Sequence, residues 1–535
     1  VPRRYLSHLL TLSALAFLTG LALTKPAAPP GRWMAGDFHQ HSRFTDGSFA
    51  ADEVLVKGFE YGLAWAANSE HGGSRHTDDQ GRRWDDPAAY PQNPIKGDEK
   101  FGERTVKQDG KEVKLRAQEM WRWQSLSEYA WRVIQRVRRE NPENLAATGL
   151  EWNVPAHEHC SVGIVAEDAL PIGEFEYRFD RGDNDRSGGP GGIWKGKQFN
   201  QDDHAKAVAG VEWMQQNHPE TGWIVFAHPE RASSYTVADF RDFNDAGPTV
   251  AFGFEGLPGH QRSSSRGGYR ERAVGGGTYG GAGFYIAEVG GLWDALLGEG
   301  RHWWTFVSSD FHSLGGDFWP GQYAKTWTWV PDGDGDGRYT LADVPGGLRS
   351  GNSFCVHGDL IDRLDFRIES KKEQARMGET LEVDKGKSAT IKIRFRTPEK
   401  SALGDSPEVK AVQLIAGEVG EKAPKFLADG KTPNPAYASD RNPTAKVVAL
   451  YQEKDLKRTD DGWYETPAFR IRKADKNQYF RIRGTNMAPG TEYETDARGN
   501  PLPDSLVTEN LEISTTEAAQ RDLWFYSNPV FLKVR

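Results

Sequence analysis

Two histidines one residue apart, His39 and His41, follow the apolar stretch 33–38. On an extended backbone residues i and i+2 share a face, so both imidazoles can reach one cation. With 14 histidines in 535 residues, roughly 0.4 such pairs arise by chance, so the pair needs company. It has it. Asp46 sits in Thr45-Asp46-Gly47, Glu70-His71 follows an apolar run at 63–67, and Glu151 ends Gly149-Leu150-Glu151. Further on stand His157-Glu158-His159, then His228-Pro229 after 223–226, and Asp310 and His312 after 304–307. Taken singly, each has an ordinary reading: a core histidine, a turn, a solvated loop or a salt-bridge partner. Together they are the residue types that hydrolytic zinc or manganese sites use, at the C-terminal ends of predicted strands, where a parallel barrel carries its active site.

The rest of the composition narrows the field. Apolar residues make up 37%, charged residues 27% and aromatics 11%, which excludes a disordered chain and a multi-spanning membrane protein. A net charge of -9 and a pI near 5.9 argue against nucleic-acid binding through bulk electrostatics. Two cysteines cannot make a disulfide framework or a Cys-rich zinc module. Cys160 reads as a buried thiol.

Residues 1–25 carry Arg3 and Arg4 followed by a short apolar run at 9–23. That is a signal-peptide layout, with an uncleaved anchor as the rival, and 26–32 read as a linker. The expectation is an exported protein, periplasmic or extracellular, with no membrane contact beyond the export signal. Its oligomeric state stays open.

From 33 to 370 short apolar strands alternate with helix-period segments, which implies an α/β parallel sheet or barrel. Leu126, Ala130, Val133 and Val137 give one helical face; helices are predicted at 204–216 and around 292–297, and strands at 223–226 and 304–307. Three polar insertions, 72–115, 181–192 and 256–282, are expected to be long loops near the functional rim. From 375 to 535 the texture changes to short strands separated by Gly, Pro, Asn and Asp, with strict alternation at 391–396. This predicts a C-terminal β-sandwich accessory domain. It holds no histidine, the last being His357, so a cut near residue 372 is expected to leave a metal-loaded barrel.

In order and residue type, residues 36–365 resemble the PHP superfamily, named for its polymerase-associated and histidinol-phosphatase members. The correspondence runs through the His39/His41 pair with trailing Asp46, the strand-end Glu70-His71, Glu151, His159 before an apolar strand, His228-Pro229, and Asp310 with His312. With the export-like N-terminus and the C-terminal sandwich ending in Ser527-Asn528-Pro529-Val530, the chain looks most like exported carbaryl-hydrolase-like metallohydrolases. The resemblance implies a distorted (β/α)7 barrel with two or three divalent metals, zinc, manganese or iron. Carried over, His39, His41, Glu151 and Asp310 would hold one metal. Glu151, His159 and His228 would hold a second with Glu151 bridging, and Asp46, His71 and His312 a third. Glu70 stands where Asp is commoner, and Asp46 where some members have His. His157 competes with His159 for one place; His159 is favoured because it directly precedes the apolar 162–165 strand, leaving His157 as its supporting catalytic partner.

Two further motifs remain. Asp332, Asp334, Asp336, Arg338 (through its carbonyl), Thr340 and Asp343 fit a 12-position calcium loop with Gly337 at position 6; the plain reading is a Gly/Asp-rich surface turn. The loop 259–272, with His260, Arg262, Arg266, Arg270 and Arg272, suits either phosphate recognition or a mobile solvated segment. Arg231 and Arg301, nearer the strand ends, are the better single cations for an anionic substrate. The expected activity is metal-dependent cleavage of a small-molecule ester, a phosphoester first and a carbamate or carboxylic ester second. A surface-binding protein that keeps metal for structure is the rival from another class.

Overall fold

The computed structural model describes residues 30–71, 76–97, 100–199, 201–231, 235–263, 266–269 and 272–535. The export-like segment 1–25 and most of the linker fall outside them. Among the described residues no helix is long and apolar enough to cross a membrane.

The chain is a mixed α/β protein built on large sheets. Seven strands follow one another in sequence across one curved sheet: β1 (Gly31–Asp37), β2 (Trp65–Asn68), β3 (Leu145–Asn153), β4 (His159–Ile164), β5 (Gly222–Phe226), β6 (Ala251–Leu257) and β7 (Trp304–Val307). β3–β4 and β4–β5 are antiparallel and the other neighbours parallel. The central strands read as apolar runs because both faces are covered; all of β2, β5, β6 and β7 is buried. Helices α1 (Ala51–Glu60), α2 (Trp131–Glu140), α3 (Leu170–Phe179), α4 (His204–Asn217), α5 (Val237–Ala246) and α6 (Leu292–Leu297) fill the connections. The predicted face Leu126, Ala130, Val133, Val137 is buried throughout. A π-helical turn at Ser125–Ala130 precedes α2, and it re-phases the face without breaking it.

Beyond β7 the sheet returns to β1 through single contacts. Gln40 and Phe311 form one parallel bridge, the His41 amide donates to the Phe311 carbonyl at 2.8 Å, and the Ser309 amide donates to Asp37 Oδ2 at 3.1 Å. The other edge of β1 pairs instead with β8 (Ala324–Pro331), antiparallel, and β8 with β9 (Ser353–His357).

The same sheet then runs on into the C-terminal half. β9 pairs with Trp524–Ser527, which pairs with Gln478–Thr485, which pairs with Ala411–Glu418. A second sheet is centred on Ala389–Arg396, whose alternating burial matches the predicted period of two, and it takes in Arg363–Ser370. One continuous apolar cluster joins both halves, with Trp304, Phe354, Phe366 and Phe525 among its members.

Among the polar ties that cross between the halves, three bear most directly on the upstream strands and loops. Asn528 Oδ1 accepts the Thr305 amide at 2.8 Å on the edge of β7 that has no ladder partner. Arg481 forms a two-pronged pair with Asp294 at 2.8 Å, both fully buried. Arg266 donates to Asp522 at 2.7 Å and to the Tyr323 hydroxyl at 3.0 Å. Arg266 is buried, so the described part of the 256–282 insertion is pinned to the C-terminal half and is not a solvated loop. The first insertion likewise holds a hairpin, Phe101–Gln108 with Lys111–Gln118. The second packs beside the small aromatic cluster of Trp121, Trp123, Tyr177 and Trp194.

These ties reverse the expectation that the C-terminal half can be removed. Leaving one member of a buried ion pair alone costs about 3–5 kcal/mol, and a cut at 372 strands Asp294 and Arg266 while opening the β9 edge. A chain ending at residue 372 should therefore be insoluble or lack a cooperative melt, read by size-exclusion chromatography and circular dichroism. A monodisperse, cooperatively melting 1–372 product that binds metal would contradict the coupling.

Candidate metal centre

The strand ends converge on one point. Asp37 at the end of β1 accepts the His39 amide at 3.0 Å through Oδ1 and the Ser309 amide through Oδ2, so one carboxylate fixes both the His39/His41 turn and the Asp310/His312 turn. Burial pushes the Asp37 carboxyl up to about 7. Glu70, two residues past the end of β2, accepts the Ser42 amide at 2.9 Å and the Ser42 and Thr45 hydroxyls. The strand-end acid thus shapes the loop that carries Asp46 and leaves coordination to its neighbour His71. Gly47 permits that loop: a Cβ there would lie 2.5 Å from the His41 carbonyl.

Glu151 on β3 is the centre. Its Oε1 lies 3.3 Å from His39 Nε2, 2.7 Å from His159 Nδ1 and 3.0 Å from His228 Nε2. Its Oε2 lies 3.1 Å from His41 Nε2 and 2.9 Å from His71 Nε2. Asp310 faces it: Oδ1 is 3.1 Å from His39 Nε2 and 3.4 Å from His41 Nε2, and Oδ2 is 2.9 Å from His260 Nε2. At the outer side Asp46 lies 3.4 Å from both His41 Nδ1 and His312 Nε2, and 3.8 Å from His71 Nε2. All nine residues expected to ligate metal therefore gather in one group, buried at Glu151 and Asp310 and partly open at Asp46 and His312. His39, His41, Glu151 and Asp310 present one set of ligand atoms within 4.8 Å of each other; His41, Asp46 and His312 present another, and His71, Glu151 and His159 a third.

The electrostatics are those of a crowded, water-poor site. Burial alone would raise the Glu151 carboxyl, yet His159, His71 and His39 hold it well below its ordinary value. Asp310 is held down against burial by His260 and His39. His39, opposed by burial, is driven well above its usual range by Asp310, Glu255 and Glu151, whereas burial and then Arg231 push His228 well below. Protons alone do not satisfy the group: His39 Nε2, both nitrogens of His41, His228 Nδ1, Asp46 Oδ1 and Asp310 Oδ1 are buried without a hydrogen-bond partner. Buried polar atoms are normally paired. Lone pairs of imidazole and carboxylate aimed at common points suit several divalent cations.

Local backbone strain marks the same place. His228, Asp310 and His260 have φ of 29°, 44° and 53°, a region that non-glycine residues enter at a cost of order 1–3 kcal/mol. Gly259 beside His260 has no room for a side chain, since a Cβ would lie 2.2 Å from the Ser309 carbonyl oxygen.

Two contributors escape the sequence reading. Glu255, inside β6, accepts from His39 Nδ1 at 3.0 Å and is held by the Ser161 and Ser308 hydroxyls at 2.7 Å each. It fixes the His39 ring from behind, the place a supporting carboxylate takes at a histidine that ligates metal. His260, named in the sequence only as part of a basic loop, reaches Asp310 with Nε2 while Nδ1 pairs with Asp317 Oδ1 at 2.6 Å. A strand-end acid within an apolar run, Phe254-Glu255-Gly256, was the available signal for the first; nothing local distinguishes the second.

Other expectations are corrected. His157 does not support His159: its Nε2 pairs with His204 Nδ1 at 2.9 Å and its ring stacks on Tyr235. The residues before His159 form a turn, with Ala156 at φ 65°, so the two-residue alternation of a strand does not reach back to His157. Arg301 is buried in pairs with Asp245 at 2.6 Å and Glu299 at 2.7 Å and is no substrate cation. Arg231 does reach the rim, with Nη2 3.8 Å from Asp310 Oδ2. Cys160 is buried as expected, and burial pushes its thiol well up. In the 332–343 loop, Asp332 accepts the Gly335 and Gly337 amides at 2.8 Å each, and Asp343 accepts the Thr340 amide at 2.8 Å and hydroxyl at 3.0 Å. Asp334 and Asp336 accept the amides of Asp336 and Arg338. These internal hydrogen bonds are common to a surface turn and to a calcium loop and do not separate the two readings.

No protein-family model and no curated protein sequence matches the chain. Among solved structures, a two-domain protein from Bacteroides vulgatus ATCC 8482, described as containing a predicted PHP-like metal-dependent phosphoesterase, aligns over 90% of this chain and 96% of its own, with 12% identity and a TM-score of 0.33. A likeness of that size leaves the reading to the chain's own residues.

Glu255→Gln keeps an acceptor for His39 but removes the charge that orients it. It should weaken metal binding about 10- to 100-fold, whereas Asp310→Ala should lose the metal that His39, His41, Glu151 and Asp310 would share, both with the far-ultraviolet circular dichroism of the parent. Metal content after equilibrium dialysis reads both, and parental affinity in Glu255→Gln would count against the positioning role.

Proposed function

We propose that the chain is a metal-dependent hydrolase of the PHP type that cleaves a phosphoester in a small molecule. The carrying observation is the pair Glu151 and Asp310, ringed by imidazoles whose buried nitrogens lack partners, with one guanidinium at the edge. We read the seven-strand curve as a distorted (β/α)7 barrel and the two C-terminal sheets as a sandwich. The 1–25 pattern supports export. His39, His41, Glu151 and Asp310 would hold one metal, Glu151, His159 and His228 a second, and Asp46, His71 and His312 a third. When bound, such metals polarise the ester and make water nucleophilic at neutral pH. The chain's own residues do the rest. Arg231, partly exposed at 28%, neutralises and orients the anionic group. His260, its Nδ1 fixed by Asp317, holds a proton at Nε2 for the departing oxygen. Asp37 and Glu255 keep the ligand turns in register.

Carbamate or carboxylic-ester hydrolysis on the same cluster is the second reading, favoured by there being one guanidinium, that of Arg231, paired with the cluster among the described residues. A phosphoester is charged in its ground state and a carbamate is not, so Arg231→Ala separates them. Loss of one charge-assisted contact costs about 1.5–3 kcal/mol, a tenfold to hundredfold fall in kcat/KM. That fall is expected for a phenyl phosphate and not for the matched phenyl carbamate. Equal small losses on both, with faster turnover of the carbamate by the parent protein, would transfer the assignment to the second reading.

A further inference from the structure

His157, left over from the Glu151 centre, belongs to a second cluster, formed with residues at the N-terminal ends of two helices. His204 is the first residue of α4 and Asp239 lies in the first turn of α5. His157 Nε2 is 2.9 Å from His204 Nδ1, and Asp239 Oδ1 is 3.5 Å from the same nitrogen; one ligand atom from each lies within 4.8 Å of the others. His204 Nε2 pairs with Asp242 Oδ2 at 3.1 Å. Asp242 also accepts from the Tyr437 hydroxyl at 2.8 Å and from Lys425 Nζ at 2.7 Å. With donors on both oxygens, Asp242 is an acceptor, so the proton of a neutral His204 lies on Nε2 and a lone pair lies on Nδ1.

That lone pair points at two groups. A proton on His157 Nε2 satisfies it, but then Asp239 Oδ1 faces an imidazole lone pair at 3.5 Å, an unfavourable pairing of two acceptors. Asp239 Oδ1 is not needed for the helix: the capping bonds from the Thr236 amide and hydroxyl, both 2.7 Å, go to Oδ2. One cation meets all three atoms. Zinc held at 2.0–2.1 Å separates tetrahedral ligands by roughly 3.3 Å, within a few tenths of an ångström of the two separations seen. The supporting carboxylate behind His204 is the arrangement that fixes a ligating imidazole. His157 is buried, while the side chains of His204 and Asp239 are 30% and 18% exposed, which leaves access for an ion and a water as fourth ligand.

We propose that His157, His204 and Asp239 form a zinc site separate from the Glu151 centre, which clamps the turn before β4 to α4 and α5. The clamp bears on the centre through structure alone: His157 stacks on Tyr235 at 4.9 Å, and the Tyr235 hydroxyl donates to the Glu158 and His159 carbonyls at 2.8 and 3.0 Å. The proposal is independent of the activity assigned above. Its test is zinc content of full-length protein after dialysis in a zinc buffer, measured for the parent, His204→Ala, Asp239→Asn and Asp310→Ala. Asp239→Asn keeps an oxygen for the helix cap and removes the charged ligand, so it decides the matter should His204→Ala fail to fold. The expected result is one zinc per chain fewer than the parent in His204→Ala and Asp239→Asn, with a lower Tm that added zinc no longer raises. Asp310→Ala should keep the zinc that these two lose. Parental zinc content in folded Asp239→Asn would overturn the site.

Discussion

One carboxylate governs this molecule. Glu151 receives five imidazoles within 3.3 Å, at a depth where water cannot separate them. An assembly of that density is stable only if positive charge is shared among the ligands, whether as protons or as metal ions, because isolated buried charges and unpaired lone pairs are expensive. The opposite displacements of His39, driven up, and His228, driven down, express that competition for a limited number of cations. Everything around the centre keeps these groups from moving apart.

The restraint comes from the sheet. Strand ends are rigid, and here they are tied to each other below the ligands: Asp37 grips the turns after β1 and β7, Glu70 the loop after β1, and Glu255 the ring of His39. The positive φ at His228, Asp310 and His260 shows that the turns are bent to aim side chains and not to suit the backbone. Such strain persists only where surrounding structure over-determines the conformation, and the close packing of Gly259 against Ser309 and Gly47 against His41 supplies that. These side chains are thus held in advance, the condition under which metal binding would need little reorganisation.

Rigidity at β7 is in turn borrowed from the C-terminal half. β7 has no ladder on its outer side; Thr326 bonds Val307, and Asn528 bonds Thr305, in place of a neighbouring strand. Asp310 follows three residues later. A segment with no candidate catalytic group therefore supports the centre, through an edge it completes and through the buried pairs Arg481–Asp294 and Arg266–Asp522.

Sequence alone picked out the nine histidines and acids that the fold gathers, and the texture of both halves. Histidines and acids at the ends of apolar runs are legible because strand burial demands continuous apolar residues and strand ends are where polar side chains can first appear. Alternation at 391–396 was legible for the same reason, since one face is buried and the period is two. Tertiary structure decided the rest. His157 and His159 share a local pattern, and only the turn at Ala156 sends one ring to Glu151 and the other to His204. Glu255 enters the centre from inside an apolar strand, which is its one local sign, and His260 from a polar loop where nothing in the neighbouring residues signals a role. Arg301 and Arg266 looked like free cations, yet their partners lie as many as 256 positions away. Charge type is written in the chain, but what a charge is paired with depends on contacts between distant segments, and those are set by how the sheet curves and where its edges find cover.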